Sequence, residues 1–131
     1  MTMTHSKRIP PVLFLIFNRP DVTAQVFAAI RQAQPSKLYV AADGARPENA
    51  GEVERVAQTR QVVLNSIDWP CELKTLFRET NLGCRMAVSS AIDWFFEHGE
   101  QGIILEDDCL PDQSFFGFCS DCWIITGMIR A

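Results

Sequence analysis

The sequence predicts an α/β domain in which a mainly parallel sheet is flanked by helices. Val12 to Phe17 is continuously apolar, without the polar alternation of a half-exposed strand, which fits a strand covered on both faces. Strand-like and helix-like stretches then alternate along the chain with short connections, in the order β-α-β-α-β-α-β. Several strand-like stretches end in polar or acidic residues, and ligands of parallel sheets bind outside the strands' carboxyl ends.

Asn18-Arg19-Pro20 breaks the first strand. Asp21 is the expected N-cap of a helix running to about Gln32, where Val22, Val26 and Ile30 make one apolar stripe. Pro35 closes that helix, and Lys37 to Ala42 forms a second strand that ends in the turn residues Asp43-Gly44-Ala45-Arg46-Pro47. From Glu52 to Leu64, Val53, Val56, Val63 and Leu64 sit among charged and amide residues, the pattern of a surface helix, which Asp68-Trp69-Pro70 ends. Leu73 to Phe77 is a short third strand, followed by the polar loop Arg78 to Gly83. Arg85 to Glu97 carries Met86, Ile92, Trp94, Phe95 and Phe96 as the anchors of a third helix, and His98-Gly99 terminates it.

With 131 residues, 47% of them hydrophobic, the chain suffices for one ordinary core. A net charge of −4 argues against nucleic acid, whose binders need a basic face to release counterions. The apolar runs fall short of the ~20 residues that span a bilayer, and the first ten residues lack the apolar core of a signal peptide. Both observations favour a cytoplasmic protein without a transmembrane segment. Five cysteines, at Cys71, Cys84, Cys109, Cys119 and Cys122, show no repeated spacing, so buried reduced thiols are expected. Cys119 and Cys122 have CxxC spacing but no second ligand pair, since His5 and His98 are single and remote.

The fourth strand ends the most informative stretch, Gly102-Ile103-Ile104-Leu105-Glu106-Asp107-Asp108. Three consecutive carboxylates repel one another, and a divalent cation, Mg²⁺ or Mn²⁺, would neutralise them and bring phosphate with it. A solvated acidic turn is the plainer account of the same residues. Asn18-Arg19, Asp43, Asn81 to Arg85, and Glu106 to Asp108 each follow a strand, so one sheet edge should hold two basic groups beside several acids. Neither GxxxxGK[ST] nor GxGxxG occurs where a P-loop or a dinucleotide fold would need it. Plainer roles are open for each group: Asp43 before Gly44 as a turn former, Arg19 paired with Asp21 or Asp43, Asn81 and Gly83 as loop punctuation. For the aromatic set Trp94, Phe95, Phe96, Phe115, Phe116 and Phe118, core is expected over a sugar-stacking platform.

Taken in order, Pro11 to Pro20, Asp43-Gly44, Asn81-Leu82-Gly83, and Ile104 to Asp108 followed by Pro111-Asp112-Gln113-Ser114-Phe115-Phe116 resemble the start of GT-A glycosyltransferases. The likeness is to bacterial family-2-like sugar transferases, and the Glu-Asp-Asp strand end is also similar to that of N-acetylglucosaminyltransferase I. The resemblance implies a GT-A half-domain binding a nucleotide-diphosphate sugar, UDP-sugar favoured, with Mn²⁺ or Mg²⁺, for transfer to a glycan, lipid or protein acceptor. It implies that Asp43 bonds the nucleobase, that Asn18 and Arg19 lie near base or diphosphate with Arg85 in the same neighbourhood, and that Glu106 and Asp107 contact sugar and ribose. Asp108 would coordinate the metal, and the cation would offset charge developing on the diphosphate leaving group.

GT-A enzymes are longer, with the acceptor site and the catalytic carboxylate of inverting members beyond the metal motif, so no catalytic residue is expected in this stretch. Cys122 to Ala131 is nearly all apolar where an amphipathic helix begun at Phe115 should continue. With suitable synonymous codons the neighbouring frame reads Leu-Leu-Asp-Tyr-Tyr-Arg-Asp-Asp-Thr, a credible helix. The expected organisation is therefore a flexible stretch over 1–10, the donor-binding half over 11–121, and a frame-shifted, non-native tail over 122–131 that leaves a truncated, inactive transferase. Two rivals stand beside it: a non-enzymatic nucleotide-binding or regulatory domain, and a sugar-nucleotide nucleotidyltransferase, which would need a Gly-rich loop where Phe17-Asn18-Arg19-Pro20 stands.

Overall fold

The computed structural model describes residues 9–108 and 127–130. The elements follow as β1 (Val12–Ile16), α1 (Pro20–Ala33), β2 (Lys37–Ala42), α2 (Glu52–Asn65), β3 (Glu72–Phe77), α3 (Cys84–Phe96), β4 (Gln101–Glu106) and β5 (Gly127–Arg130). The strands lie in the order β3-β2-β1-β4-β5, and every neighbouring pair is parallel. The chain thus has the α/β architecture with a parallel sheet and flanking helices. From β1 it steps outward through β2 to β3, then α3 carries it back across the sheet to β4 on the other side of β1. The crossover reverses between β1 and β4, which is where an open parallel sheet forms a crevice at its carboxyl edge.

Alternation along the strands sorts the core into two layers. Val12, Phe14, Ile16, Leu38, Val40, Ala42, Ile103 and Leu105 pack with Val26, Phe27 and Ile30 of α1 and Val63 of α2. Leu13, Leu15, Tyr39, Ala41 and Ile104 face Ala91 and Phe95 of α3. All of β1 is buried, as an uninterrupted apolar run in a sheet covered on both sides requires.

Several local expectations need correction. Asp21 does not cap α1: Arg19 holds the cap position, Pro20 opens the helix, and Asp21 is a first-turn acid, because a fixed proline φ and a missing N–H suit the first helical position. Trp69 does more than end a unit, since its ring packs against Phe27 at 5.9 Å and its indole N–H donates to the Pro35 carbonyl at 2.8 Å. On α2, Val56 and Val63 are buried while Val53 and Leu64 are exposed, so the helix turns a narrower apolar stripe inward than its four hydrophobic residues suggest. In the expected flexible stretch 1–10, Pro10 is buried and Ile9 packs against the α1 layer. Phe95 is buried, with Trp94 and Phe96 packed beside it, whereas Cys84 is exposed and Cys71 half-buried, against the expectation of buried thiols. The helix expected from Phe115, the remaining cysteines and most of the 122–131 tail lie outside the described residues. Within that tail 127–130 pairs with 101–104 of β4.

Candidate functional site

The carboxyl edge is organised by two buried carboxylates. Asp43, directly after β2, is 9% exposed. Its Oδ1 accepts the N–H groups of Gly44 and Leu82, both at 2.8 Å. Its Oδ2 accepts Asn81 Nδ2 at 3.0 Å and the Gly83 N–H at 3.1 Å. Asn81 also donates to the Gly44 carbonyl at 2.7 Å. The β3–α3 loop is thereby fastened to the end of β2, and two glycines make this possible. A Cβ at Gly44 would lie 2.5 Å from the Thr80 carbonyl carbon, and Gly83 has φ +87°, a conformation that side-chain-bearing residues rarely adopt. The turn-former role of Asp43 and the loop role of Asn81 and Gly83 are both present in this one clamp. A carboxylate offers about four lone-pair positions, and these four donors fill them, so a nucleobase N–H would have to displace one.

The second carboxylate, Glu52, went unnoticed in the sequence as a site residue. It opens α2 and is fully buried. Asn18 Nδ2 donates to it at 3.0 Å from the end of β1. Arg46 adds its backbone N–H at 2.8 Å, its Nε at 2.9 Å and an amino group at 2.7 Å. These bonds, the Arg46 guanidinium foremost, hold the Glu52 carboxyl well below the usual carboxylate range. So anchored, Arg46 lies 5.6 Å from the centroid of the Phe17 ring. Arg60, also overlooked, reaches from α2 to donate to the carbonyls of Asp43 at 3.0 Å and Arg78 at 2.8 Å and lies over the Phe77 ring. Burial lowers its pKa. No sequence signal marks these residues, because a mid-helix arginine and a first-turn glutamate are ordinary surface choices.

Between the clamp and β1 opens a cleft of about 180 Å³, walled by Leu15, Phe17, Asp43, Arg46, Asn81 and Val88 among others. That is smaller than the ~300–1,000 Å³ of drug-sized sites, room for one ring rather than a whole nucleotide sugar. Beside it, across the β1/β4 crossover, lie the acids. Among the described residues, the ion pair of Arg19 is with Asp108, at 3.9 Å, rather than with Asp21 or Asp43, and both side chains are about half exposed. Such a pair is worth at most ~1 kcal/mol. Arg85 is separated from this group; it lines an adjoining groove along α3 with Glu106 and Asp93. The structure therefore brings Asn18, Arg19, Asp43, Asp107 and Asp108 to one edge, Glu106 to its border, and leaves Arg85 outside the cleft.

Asp107 is 8% exposed. Burial raises its carboxyl pKa, Asp108 and Glu106 push the same way, and Arg19 opposes them. A raised carboxyl pKa means that ionised Asp107 burdens the fold at neutral pH, with the burden fully present above its folded value and gone below the ordinary aspartate value near ~3.9. Asp107→Asn is therefore expected to raise the melting temperature at pH 7, with the gain fading as the pH falls toward 4. Thermal melts of the two proteins across that range check it, and an unchanged or lower midpoint at pH 7 would refute the assignment.

Among the described residues, no three His, Cys, Asp or Glu side chains come together as a group able to hold a metal ion, so Glu106, Asp107 and Asp108 do not form a ready-made cation cage. No helix among the described residues is long and apolar enough to cross a membrane. No protein-family model, curated protein or solved structure matches this chain.

Proposed function

We propose that this chain is the donor-binding half of a GT-A-like sugar transferase, taking a nucleotide-diphosphate sugar at the carboxyl edge of its sheet. One observation supports this above the rest. The carboxyl edge of the sheet holds a ring-sized cleft at the ends of β1 and β2 and, at the neighbouring ends of β1 and β4, a basic group, Arg19, with an acidic strand end, Asp107-Asp108, as the base, diphosphate and cation of such a donor require. The base would enter the cleft beside Phe17 and Arg46. Asp43, with its lone pairs engaged, would shape that cleft through the loop it clamps, a more indirect role than bonding the base.

Mg²⁺ and Mn²⁺ sites that carry nucleotides commonly use one or two carboxylates and complete their shell with phosphate oxygens and water. Asp108, half-exposed beside Arg19, fits that pattern as a single protein ligand, with Glu106 and Asp107 lending negative potential. A bound cation would supply charge neutralisation to the diphosphate as the sugar departs. Arg19 would meet the diphosphate from the opposite side, and Asn18, fixed by Glu52, would hold the backbone end of β1 against the base.

Calorimetry with UDP, with and without Mn²⁺, tests this reading. Mn²⁺ is expected to tighten UDP binding, and Asp108→Ala to lose that increment, by at least about tenfold in affinity. Binding indifferent to both would leave the second reading, a nucleotide-binding module without a metal. A nucleotidyltransferase is disfavoured because β1 runs through Phe17 and Asn18 directly into α1 at Pro20, leaving no glycine-rich cradle for phosphate.

A further inference from the structure

From the edge strand β3 we infer that this protein pairs with a second copy of itself, the two β3 strands running antiparallel about a twofold axis at Thr75. Among the described residues, β3 ends the sheet on one side. The Glu72 N–H donates to the Ser36 carbonyl at 2.8 Å and the Arg78 N–H to the Ala42 carbonyl at 3.0 Å. Residues 72, 74, 76 and 78 thus turn their backbone groups toward β2, and Leu73, Thr75 and Phe77 turn theirs outward. An open row of this kind is a template for another strand.

The sequence of the strand says which one. Glu72-Leu73-Lys74-Thr75-Leu76-Phe77-Arg78 mirrors itself about Thr75 in its apolar pair Leu73/Phe77 and carries opposite charges at its ends, Lys74 and Leu76 being the one unlike pair. Laid antiparallel on itself about Thr75, it sets Leu73 opposite Phe77 of the second copy and Thr75 opposite its own counterpart, each pair exchanging backbone hydrogen bonds. Glu72 falls opposite Arg78 of the second copy at a closely spaced, non-hydrogen-bonded position. Opposite charges, threonine pairs and apolar–aromatic pairs are the favourable cross-strand matches, and this register supplies all three twice over or on the axis. Leu73, 38% exposed, and Phe77, packed at the border of the α1 layer, lie on the same sheet face and would cover each other. Arg78 reaches Ser90 of α3 at 2.7 Å, which holds its guanidinium on the face where Glu72 of the second copy arrives. Lys74, the usual guard of an edge, stands on that face 3.8 Å from Glu72 and falls opposite Leu76, so its charge stays in water. A twofold contact of this kind closes on itself and stops at two.

Sedimentation of the full chain over a rising concentration series is expected to show a monomer–dimer equilibrium. Glu72→Arg and Arg78→Glu should each weaken it at least about tenfold by facing like charges across the seam, and an equimolar mixture of the two variants should restore it. Thr75→Cys should give a reducible dimer under mild oxidation, because directly paired Cα atoms at about 5.5 Å lie within disulfide reach. The unsubstituted chain, with its exposed Cys84, is the control for adventitious crosslinking. Thr75→Pro removes only an outward N–H, so circular dichroism should show a folded monomer. A chain that stays monomeric at every concentration overturns the inference. So does a dimer that survives Thr75→Pro, or a Thr75→Cys chain that crosslinks no faster than the control.

Discussion

Asp43→Ala is expected to destabilise the fold by about 3 kcal/mol and to open the cleft, an effect larger than any single surface change should produce. Four donors meet that carboxylate, and three are backbone N–H groups that alanine would leave without their acceptor. Buried donors stripped of a partner cost more than the bond contributed, since water does not return to replace it. Asp43→Asn tests the mechanism more sharply. An amide oxygen could still accept from Gly44 and Leu82, but its NH₂ would then face the Gly83 N–H and the Asn81 amide, donor against donor. Chemical denaturation should therefore find Asn nearly as damaging as Ala. If Asn proved neutral, Asp43 would be an ordinary turn residue and the clamp would carry no weight. UDP binding, if present in the parent, should be lost in both variants at temperatures where each remains folded, because the loop that Asp43 clamps forms the cleft wall together with Asp43 itself.

The fold was largely legible in the sequence because its evidence is periodic. An apolar run such as Val12 to Ile16 has few alternatives to a doubly covered strand, and the alternation of strands and helices leaves few topologies to choose from. Placement of acids at strand ends followed from the same logic, so Asp43 and Asp107-Asp108 could be assigned to one edge without any contact being known. What could not be read is what each group touches. Asp43 looked like a base acceptor or a turn former, but its partners come from a loop 38 to 40 residues later. Arg19 had Asp21 two residues on and Asp43 at the next strand end as candidate partners, yet faces Asp108, because β4 returns beside β1. Glu52 and Arg60 carry no sequence signal at all: a glutamate at a helix start is an ordinary response to the helix dipole, and burial is a property of packing. The N-terminus of α1 shows a closer contest, between an aspartate that favours the cap and a proline that favours the next position. Proline prevailed because its φ is fixed before the helix forms.

Glu52→Gln is expected to lower the melting temperature at neutral pH by several degrees and, more tellingly, to change how stability depends on acid. A carboxyl whose pKa is depressed on folding contributes stability that is fully present above its unfolded value, near ~4.3 for glutamate, and lost as pH falls through the depressed one. The Glu52 carboxyl is held down chiefly by Arg46, whose charge does not titrate in this range. The unsubstituted chain should therefore lose the Glu52 contribution progressively below about pH 4.3, while the Glu52→Gln chain, whose amide has no proton to gain, should not. Melting curves of the two proteins should lie apart at pH 7 and converge as the pH approaches 2. Parallel curves would mean that Glu52 adds shape but no ionic bond. The same variant separates structure from ligand binding: Glu52 is what fixes Arg46 over Phe17 and Asn18 at the end of β1, so a folded Glu52→Gln chain should bind UDP more weakly. Arg46→Lys should keep a charge for Glu52 but lose the fork that reaches it through two nitrogens at once, and should fall between the parent and Glu52→Gln in both stability and affinity.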